Sequence, residues 1–565
     1  MARAAFDYVI VGAGSAGSVL AKRLSSRGAG GGGQRRSVLV LEAGKTDNYL
    51  PIHVPVGYLH CIDNPRTDWR FRTEAEPGLN GRALSYPRGK VLGGCSSING
   101  MIYMRGQAED YGQWASATND PGWGWDSLLP LFKRDEDHHG GASEFHGSGG
   151  AWRVEKQRLH WKALDVFKAA AVESGIPEVA DFNRGNNFGV SYFDVTQRSG
   201  WRLNAFQAFV RPGLKQQSSS SSSSSPSGNL LEVRTDALVN RLLFSDPADP
   251  KRCTGIEYTP AGQAGRVVVE ARREVILASG AIGSVQILER SGIGCARRLE
   301  AVPGLQVRHN LPGVGENLQD HLQLRASFSV QGLPTLNTRS QSLLGKLGIG
   351  LEYILSRSGP LAMAPSQLGA FACSSPAHPP SRPNVEFHVQ PLSLDRFGEP
   401  LHAYDAITAS VCNLRPTSRG SVHISSADAA AAPRIEPRYL STEEDLQVAA
   451  DSIRLARRIV MTSRAFAPYK PREVKPGPAL ESEQELRRAA GDIGTTIFHP
   501  AGTCKMGLAS DPTAVVSPQL LVHGLRGLRV VDASVMPNIT SGNTAAPTMV
   551  IAERASDLIL AAAGN

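Results

Sequence analysis

Long apolar runs, paired cysteines and blocks of basic residues are all missing from this sequence of 565 residues. A membrane-spanning helix needs roughly 20 apolar residues, but the longest candidates, such as Val267–Ala278, are strand-sized or interrupted by charge. We therefore predict no transmembrane segment. The 60 basic residues are dispersed despite a formal net charge of +8, and no motif of a nucleic-acid reader occurs. We expect no nucleic-acid partner.

The seven cysteines stand singly, without CxxC pairs or the spacing of metal ligands. This pattern argues against a metal site and against a disulfide framework. It favours a reducing compartment.

The segment DYVIVGAGSAGSVLAKRLS predicts a strand, a glycine turn and a helix. Gly12 permits the tight turn, Gly14 lets the backbone approach a pyrophosphate, and Gly17 allows close packing of helix on strand. The N-terminus of the helix presents unpaired N–H groups to the phosphates. The next strand ends in Glu42, which can accept hydrogen bonds from ribose hydroxyls and disfavours the 2′-phosphate of NADP. The sequence therefore predicts a dinucleotide site.

Further strand-like runs are scattered over the whole chain, which indicates a discontinuous cofactor domain. We predict an α/β fold, α+β overall, with a Rossmann-like cofactor domain made of residues 1–155, 228–325 and 499–565. Residues 156–227 and 326–498 form a substrate-binding domain of sheet and helices. The predicted strands of the cofactor domain are Tyr8–Val11, Ser37–Leu41, Leu230–Val233, Arg266–Val269, Glu274–Ala278 and Gly527–Val531.

Two low-complexity segments, Gly28–Gly33 and the serine tract Ser218–Ser225, cannot bury apolar surface, so we expect surface loops there. The first insertion also explains why Glu42 lies further from the glycines than the usual spacing of about 20 residues. The first strand begins by Asp7, which leaves no room ahead of it in this sequence for a signal or transit peptide. We expect a cytoplasmic protein, or an organellar one whose leader is absent from this sequence.

The segment RGKVLGGCSSIN at Arg88–Asn99 favours a flavin over a nicotinamide cofactor. Its glycines and small hydroxyl residues let the main chain lie against a flat ligand, and Asn99 offers a fixed amide. This segment resembles the first signature of the glucose-methanol-choline (GMC) oxidoreductase family. GAIGSVQILERSGIG at Gly280–Gly294 resembles the second signature, with Val285 where the family usually has Pro.

The resemblance extends to the closing segments HPAGTCKMG and LRVVDASVMPNITSGNTAAPT, and within the family it is to the choline-dehydrogenase-like branch. It implies noncovalent FAD and a substrate domain that lies over the flavin ring. Ile98 stands where some members carry a flavin-linking histidine, so covalent attachment at that position is excluded.

The resemblance also implies which residues contact FAD, and for Val91 and Val239 the alternative is core packing. The residues expected on the ADP side are Gly12, Gly14, Ser15, Ala16, Gly17, Glu42, Ala43 and Val239. Those expected near the pyrophosphate and flavin are Arg88, Val91, Gly94, Asn99, Gly100, Asp532, Ala533, Ala545 and Pro547.

Alcohol oxidation requires a base for the hydroxyl proton beside the ring face where flavin N5 accepts the carbinol hydrogen as hydride. His499, in IFHPAGTCKMG, occupies the position of the family's catalytic histidine. If it is the base, the rate should rise with pH through the pKa of a free imidazole.

Reduced flavin is anionic, so positive potential is needed near the N1–C2 carbonyl edge. A predicted helix over Ala545–Leu558 can supply it from its N-terminus, with Thr544 as a cap and Pro547 in its first turn. The family usually places a second catalytic Asn or His where this sequence has Ala545. Asn543, two residues earlier, cannot be assumed to replace it.

Three other readings compete with alcohol oxidation. In the light-driven fatty acid photodecarboxylases a Cys and an Arg lie near the carboxylate, but here Ser366 and His388 occupy those positions, which disfavours that reaction. A hydroxynitrile lyase and a catalytically silent flavoprotein are the other two. The substrate could be choline, an aliphatic alcohol or an aryl alcohol, and the electron acceptor could be oxygen or a quinone.

Overall fold

The structure is a computed structural model, and it describes residues 4–26, 36–220, 231–244, 246–263, 265–395 and 398–564. The predicted insertion Gly28–Gly33 lies outside these ranges. Of the serine tract, Ser221–Ser225 also lie outside them, whereas residues 218–220 end the helix Arg211–Ser220. The surface-loop prediction is therefore wrong for those three residues, because the preceding helix continues into them.

The first of two large sheets has seven strands and a Rossmann-like parallel core. The strand Ala4–Val11 lies parallel to Val38–Leu41 on one side and to Val267–Leu277 on the other. All four residues of Val38–Leu41 are buried, as expected of a strand with both faces covered. The sheet order is Leu231–Arg234, Val38–Leu41, Ala4–Val11, Val267–Leu277, Gly255–Pro260 and Ala237–Leu243, with Leu528–Val530 also paired to Val267–Leu277.

The sequence predicted this sheet incompletely. The runs Arg266–Val269 and Glu274–Ala278 form one strand, Val267–Leu277, rather than two. Its first half pairs with Gly255–Pro260 and its second half with Leu528–Val530, so it has neighbours along its whole length. Ala237–Leu243 and Gly255–Pro260 were not predicted. Leu230, the start of one predicted strand, lies outside the described residues.

The second sheet is antiparallel and is polar on one face only. Its apolar face, which includes Leu324, Phe387 and Val411, packs against the helices Lys162–Glu173 and Glu443–Met461. The opposite face lines a cavity between the two sheets. The strand order is Arg472–Lys475, Leu322–Ser329, Ala406–Asn413, Val385–Gln390, Leu368–Ala372 and Gly189–Tyr192, with Gly494–Thr496 also paired to Leu322–Ser329.

The remaining elements connect and cover these sheets. The α-helices are Ser15–Ser25, Leu50–His53, Ala108–Thr118, Trp125–Asp135, Lys162–Glu173, Arg211–Ser220, Gly280–Arg290, Ala296–Glu300, Leu336–Arg339, Leu343–Ser356, Glu443–Met461, Glu483–Ile493 and Ala545–Ala562. A π-helical turn, Phe206–Val210, precedes Arg211–Ser220. The shorter strands are Phe71–Arg72, Ser85–Tyr86, Glu136–His138, Trp152–Lys156, Asp194–Val195, Gln197–Arg198, Trp201–Arg202, Ile293–Gly294, His309–Asn310, Ser421–His423 and Arg434–Glu436.

Two of the predicted domain boundaries fall within strands. The boundary between residues 325 and 326 divides Leu322–Ser329, which belongs entirely to the second sheet. The boundary between residues 155 and 156 divides Trp152–Lys156, which pairs with Glu136–His138 and Asp194–Val195. The boundary between residues 227 and 228 lies outside the described residues.

All seven cysteines are free, and four of them are buried. Among the described residues, no helix combines the length and the apolar character that crossing a membrane requires.

Candidate active site

A cavity of about 1040 Å³ lies between the two sheets. The first sheet contributes Val11, at the carboxyl end of its central strand, and the second contributes Arg325 and His388 from its polar face. Small-molecule sites usually enclose about 300–1,000 Å³. The cavity therefore has room for a dinucleotide together with a small substrate.

The glycine turn shows which glycine serves a ligand. A Cβ on Gly12, whose φ is +105°, would lie 2.5 Å from the carbonyl oxygen of Ala278, and a Cβ on Gly17 would lie 1.9 Å from that of Gly12. Both glycines are therefore required by the packing of the chain itself. A Cβ on Gly14 would meet only the Cα of Gly94, at 3.9 Å, and Gly14 lines the cavity. Gly14 is the glycine whose space a ligand can use.

The helix Ser15–Ser25 begins at this turn without a side-chain cap, since its N-cap residue is Gly14. Its first N–H groups are the ones that no carbonyl of the same helix can reach. Ser15 and Ala16 line the cavity beside them. An uncapped helix N-terminus next to an open glycine turn fits the pyrophosphate of a dinucleotide.

Glu42 and Ala43 follow the strand Val38–Leu41 and line the same end of the cavity. The two carboxylate oxygens of Glu42 accept hydrogen bonds from the N–H groups of Ala13, at 2.9 Å, and Gly44, at 2.8 Å. Burial raises the pKa of Glu42 to about 7. The carboxyl group thus links two loops of the chain, and its contact with ribose hydroxyls stays a prediction.

In the segment Arg88–Asn99, most of the predicted residues reach the cavity but Val91 does not. Arg88, Gly94 and Asn99 line it, as does the following Gly100. The side-chain oxygen of Asn99 accepts hydrogen bonds from the N–H of Met101, at 3.0 Å, and from Nη1 of Arg202, at 2.9 Å, so the amide is fixed as predicted.

Three residues predicted to contact the cofactor lie outside the cavity lining. Val91 is fully buried in a small apolar cluster with Ile52 and Cys61, so its alternative of core packing is the correct one. Gly17 serves helix packing, and Pro547 is buried in the first turn of Ala545–Ala562. The other valine of that pair, Val239, does line the cavity.

Segments near the C-terminus complete the lining. Oδ2 of Asp532 accepts hydrogen bonds from the N–H of Gly280, at 2.8 Å, and from the hydroxyl of Ser284, at 2.6 Å. Asp532 and Ala533 both line the cavity, as do Asn543 and Ala545. The first turn of the helix Ala545–Ala562 therefore opens into it, as expected of a source of positive potential.

The predicted cap of this helix is incorrect in one respect. Thr544 occupies the N-cap position, but its side chain makes no capping hydrogen bond. Its carbonyl instead accepts hydrogen bonds from the N–H and the hydroxyl of Thr548. The N–H groups of the first turn thus stay available toward the cavity.

His499 lines the cavity, and the residue before it has a strained backbone that hydrogen bonds hold in place. Phe498, which precedes it, has a φ of 69°, a left-handed conformation that is rare for a bulky residue. Nη1 of Arg88 donates to the Phe498 carbonyl at 2.8 Å, and the Phe498 N–H donates to Thr496 at 2.7 Å. The N–H of His499 itself donates to Oδ1 of Asp320 at 2.8 Å. Strain of this kind persists only where the surrounding contacts determine it.

Asp320 holds the backbone of His499 in place through a carboxylate that accepts hydrogen bonds at both oxygens. Its Oδ2 accepts hydrogen bonds from the hydroxyls of Tyr86, at 2.8 Å, Thr496, at 2.6 Å, and Tyr439. Asp320 and its neighbour His321 were not predicted from the sequence. Their signal was an Asp-His pair in NLQDHLQ directly before a strand, but nothing in the spacing linked that pair to His499.

Hydrogen-bond partners assign the tautomers of the two histidines. Nε2 of His321 lies 3.3 Å from the carbonyl of Leu414, which can only accept, so Nε2 carries the proton and Nδ1 has a lone pair. Nδ1 of His499 lies 3.0 Å from that lone pair and therefore donates to it. Nε2 of His499 is left with a free electron pair, to which Nδ2 of Asn543 donates at 3.2 Å.

Both histidines are held in the neutral form. Burial lowers the pKa of His499 well below its usual range, and the positive charge that Arg88 carries, and that His321 and His388 would carry if protonated, lowers it further. Burial also lowers the pKa of His321 to about 4. The direction of this shift moves the expected inflection below the pKa of a free imidazole.

Asn543 and Ala545, whose roles the sequence left open, differ in the hydrogen bonds that their side chains can form. Ala545 lines the cavity but has no side-chain hydrogen-bonding group, whereas Asn543 contacts the candidate base directly. Oδ1 of Asn543 is buried and has no hydrogen-bond partner within the described chain. Because Asn543 lines the cavity, this unpaired oxygen is a candidate acceptor for a ligand hydroxyl.

Comparison with known proteins decides the family. The GMC oxidoreductase N-terminal family model matches residues 6–323, and the C-terminal model matches residues 416–552. The chain is a GMC oxidoreductase. It is 38% identical to human mitochondrial choline dehydrogenase over 98% of this chain and 89% of that protein. It is 36% identical to an alcohol dehydrogenase [acceptor] from Pseudomonas putida over 98% of this chain and 96% of that protein.

Solved structures of this family have the same architecture. Pyridoxine 4-oxidase from Mesorbium loti superposes on this GMC oxidoreductase with a TM-score of 0.83 at 30% identity, covering 98% of each chain. A formate oxidase superposes with a TM-score of 0.88 at 25% identity, covering 100% of this chain and 99% of the other. The cofactor domain with a substrate-binding domain over it is thus the family's fold.

The glycine turn yields a prediction that separates ligand binding from folding. Gly14→Val should keep the fold, because the added Cβ has space, but should lose FAD, because its methyl groups enter the cavity next to Gly94. Gly17→Ala is the matched control and should instead destabilise the fold. Thermal unfolding followed by circular dichroism, together with the amount of flavin released on denaturation, checks both variants. Full flavin content in Gly14→Val would contradict the role assigned to this turn.

Proposed function

We propose that this GMC oxidoreductase oxidises an alcohol to the corresponding aldehyde or ketone, with noncovalent FAD as cofactor and His499 as general base. The observation that carries the proposal is the hydrogen-bond chain from Leu414 through His321 to His499. It leaves the unprotonated Nε2 of a neutral imidazole at the cavity wall. The relatives named for the oxidation of choline and of other alcohols support the same reaction class.

The lining residues fit FAD along the whole cavity. The uncapped helix at Ser15, the open space at Gly14 and the backbone around Glu42 suit the dinucleotide end. The first turn at Ala545 suits a ring that gains negative charge. Bound there, FAD supplies the acceptor for the carbinol hydride. Ile98 lines the cavity in place of a linking histidine, which supports noncovalent binding.

The residues of the chain itself handle the hydroxyl proton. Nε2 of His499 takes the proton from the substrate hydroxyl while Nδ1 stays hydrogen-bonded to His321. Protonation of Nε2 removes the lone pair to which Nδ2 of Asn543 donates, and rotation of the amide would then bring Oδ1, which is buried without a partner, to accept a hydrogen bond from the imidazolium. Asp320 keeps the backbone of His499 in position throughout.

Removal of the base tests the proposal. His499→Ala should retain FAD, since the dinucleotide contacts lie on other segments, and should lose on the order of 10²–10⁴-fold in alcohol oxidation, the usual contribution of a positioned base. Anaerobic flavin reduction by an alcohol substrate is the measurement. His160→Ala, at a side chain 70% exposed and paired with Asp165, is the control and should react like the parent. Equal rates in His499→Ala and the parent would show that the base is another group.

The pH dependence provides a separate test. A lowered pKa keeps His499 neutral as the pH falls, so kcat/KM should stay constant from pH 8 to below 6.5 and decrease only in more acidic solution. Steady-state rates in overlapping buffers, with flavin content measured at each pH, give the profile. An inflection at or above 6.5 that belongs to His499 would contradict the burial of the neutral imidazole.

A charge at Asn543 should move this inflection. Asn543→Asp replaces a donor to Nε2 of His499 with a carboxylate, which favours the imidazolium and so raises the pKa of His499. The rate should therefore begin to fall at a higher pH than in the parent. Asn543→Ala, the uncharged control, should lower the rate by about 2- to 10-fold, the net value of one hydrogen bond, with a smaller shift. An unshifted profile in Asn543→Asp would mean that Asn543 does not contact the base during catalysis.

A further inference from the structure

The polar face of the second sheet presents a guanidinium group to the cavity. Along the strand Leu322–Ser329, Gln323, Arg325 and Ser327 alternate with apolar residues and line the cavity. Arg325 is opposite Ser410, which is in turn opposite His388 on the next strand. Arg325 thus lies level with His388 in the same wall, two strands away.

Arg325 has no acidic partner. Its Nη2 donates to Oε1 of Gln390 at 3.3 Å, but Arg325 forms no ion pair within the described ranges. The residues outside those ranges include neither Asp nor Glu. Arg325 faces the cavity and is otherwise surrounded by protein, and burial lowers its pKa. Arg325 is half-buried, and a cation withdrawn from water without a counter-ion is costly unless a ligand pairs with it.

The carboxylates that line the cavity are already engaged elsewhere. Asp395 pairs with Lys475 at 2.7 Å and with His402 at 3.2 Å. Glu42 and Asp532 bind backbone N–H groups of the glycine turn and of Gly280. Asp492 accepts a hydrogen bond from Asn80 at 2.6 Å. Arg325 is therefore a lining cation that no carboxylate of the described ranges neutralises, in contrast to Lys475.

We propose that Arg325 binds the carboxylate of the substrate, so that the preferred substrates are hydroxy acids rather than choline. A guanidinium offers a planar pair of donors that matches a carboxylate. The same charge repels the quaternary ammonium group of choline. This inference rests on the proposed alcohol oxidation and identifies its substrate class.

The strand sets the backbone separation between Arg325 and His321, the residue that contacts the candidate base. His321, which contacts His499, and Arg325 are four residues apart on one chain segment, or about 13 Å at the rise of an extended strand. The Arg325 side chain spans part of that distance. Several methylene groups should therefore separate the hydroxyl from the carboxylate, and the lining residues Ile62, Met101 and Pro365 offer apolar surface for them.

Three alcohols of equal length and different charge test the substrate class: 6-hydroxyhexanoate, 1-hexanol and 6-aminohexan-1-ol. We expect kcat/KM to decrease in that order, with choline below 1-hexanol. Arg325→Gln should lower the ratio of 6-hydroxyhexanoate to 1-hexanol by about 10- to 100-fold, the value of a charge-assisted hydrogen bond. Arg325→Lys should recover part of the ratio, and Lys475→Gln should leave the ratio nearly as in the parent. A parent enzyme that prefers 1-hexanol, the amino alcohol or choline would overturn the proposal.

A carboxylate that binds but cannot be oxidised tests the anion site independently of the reaction. Hexanoate cannot be oxidised as an alcohol, and it should perturb the flavin absorbance of the parent holoenzyme but not that of Arg325→Gln. If hexanoate binds through Arg325 while no alcohol is oxidised, the proposed function fails and the anion site stands. If alcohols are oxidised but hexanoate binds the two proteins equally, the anion site is refuted and the proposed function stands.

Discussion

The contact between Nδ1 of His321 and Nδ1 of His499 decides what the candidate active site can do. Two adjacent Nδ1 atoms can share only one proton, and the carbonyl of Leu414 settles which ring holds it. His499 is therefore the donor, and its Nε2 is left unprotonated at the cavity wall. Burial acts in the same direction, since it keeps both rings neutral.

This contact depends on strand pairing within the second sheet. His321 directly precedes the strand Leu322–Ser329 of the second sheet, and His499 follows Gly494–Thr496, which pairs with that strand. Asp320 joins the two segments through the N–H of His499 and the hydroxyl of Thr496. Residues 178 positions apart are thus placed by one local strand pairing. The two large sheets thus contribute different parts of the site: the first carries the glycine turn, and strand pairing in the second places His321 beside His499.

The sequence predicted the parts of the site that local chain geometry determines. Gly12, Gly14 and Glu42 were recognisable because a turn between strand and helix demands glycine and the next strand places its acid nearby. His499 was identified by family resemblance rather than by spacing. Most of the predicted lining residues do meet at the cavity.

The sequence could not predict features that arise from tertiary packing. Val91 and Val239 looked alike and both belong to apolar clusters, but only the packed structure shows that Val239 also lines the cavity. The pairing of His499 with Asp320 and His321 has no sequence signal, nor has the burial that lowers the pKa of His499. The missing counter-ion of Arg325 is likewise visible only when every neighbouring carboxylate has been located.

The most direct test of alcohol oxidation is anaerobic bleaching of the bound flavin by an alcohol, compared with the same alcohol deuterated at the carbinol carbon. Removal of the hydroxyl proton by His499 prepares the carbinol carbon to lose a hydride, so the flavin should bleach, and the deuterated alcohol should bleach it more slowly. A flavin that stays oxidised with every hydroxy acid and neutral alcohol tested would contradict the proposed function.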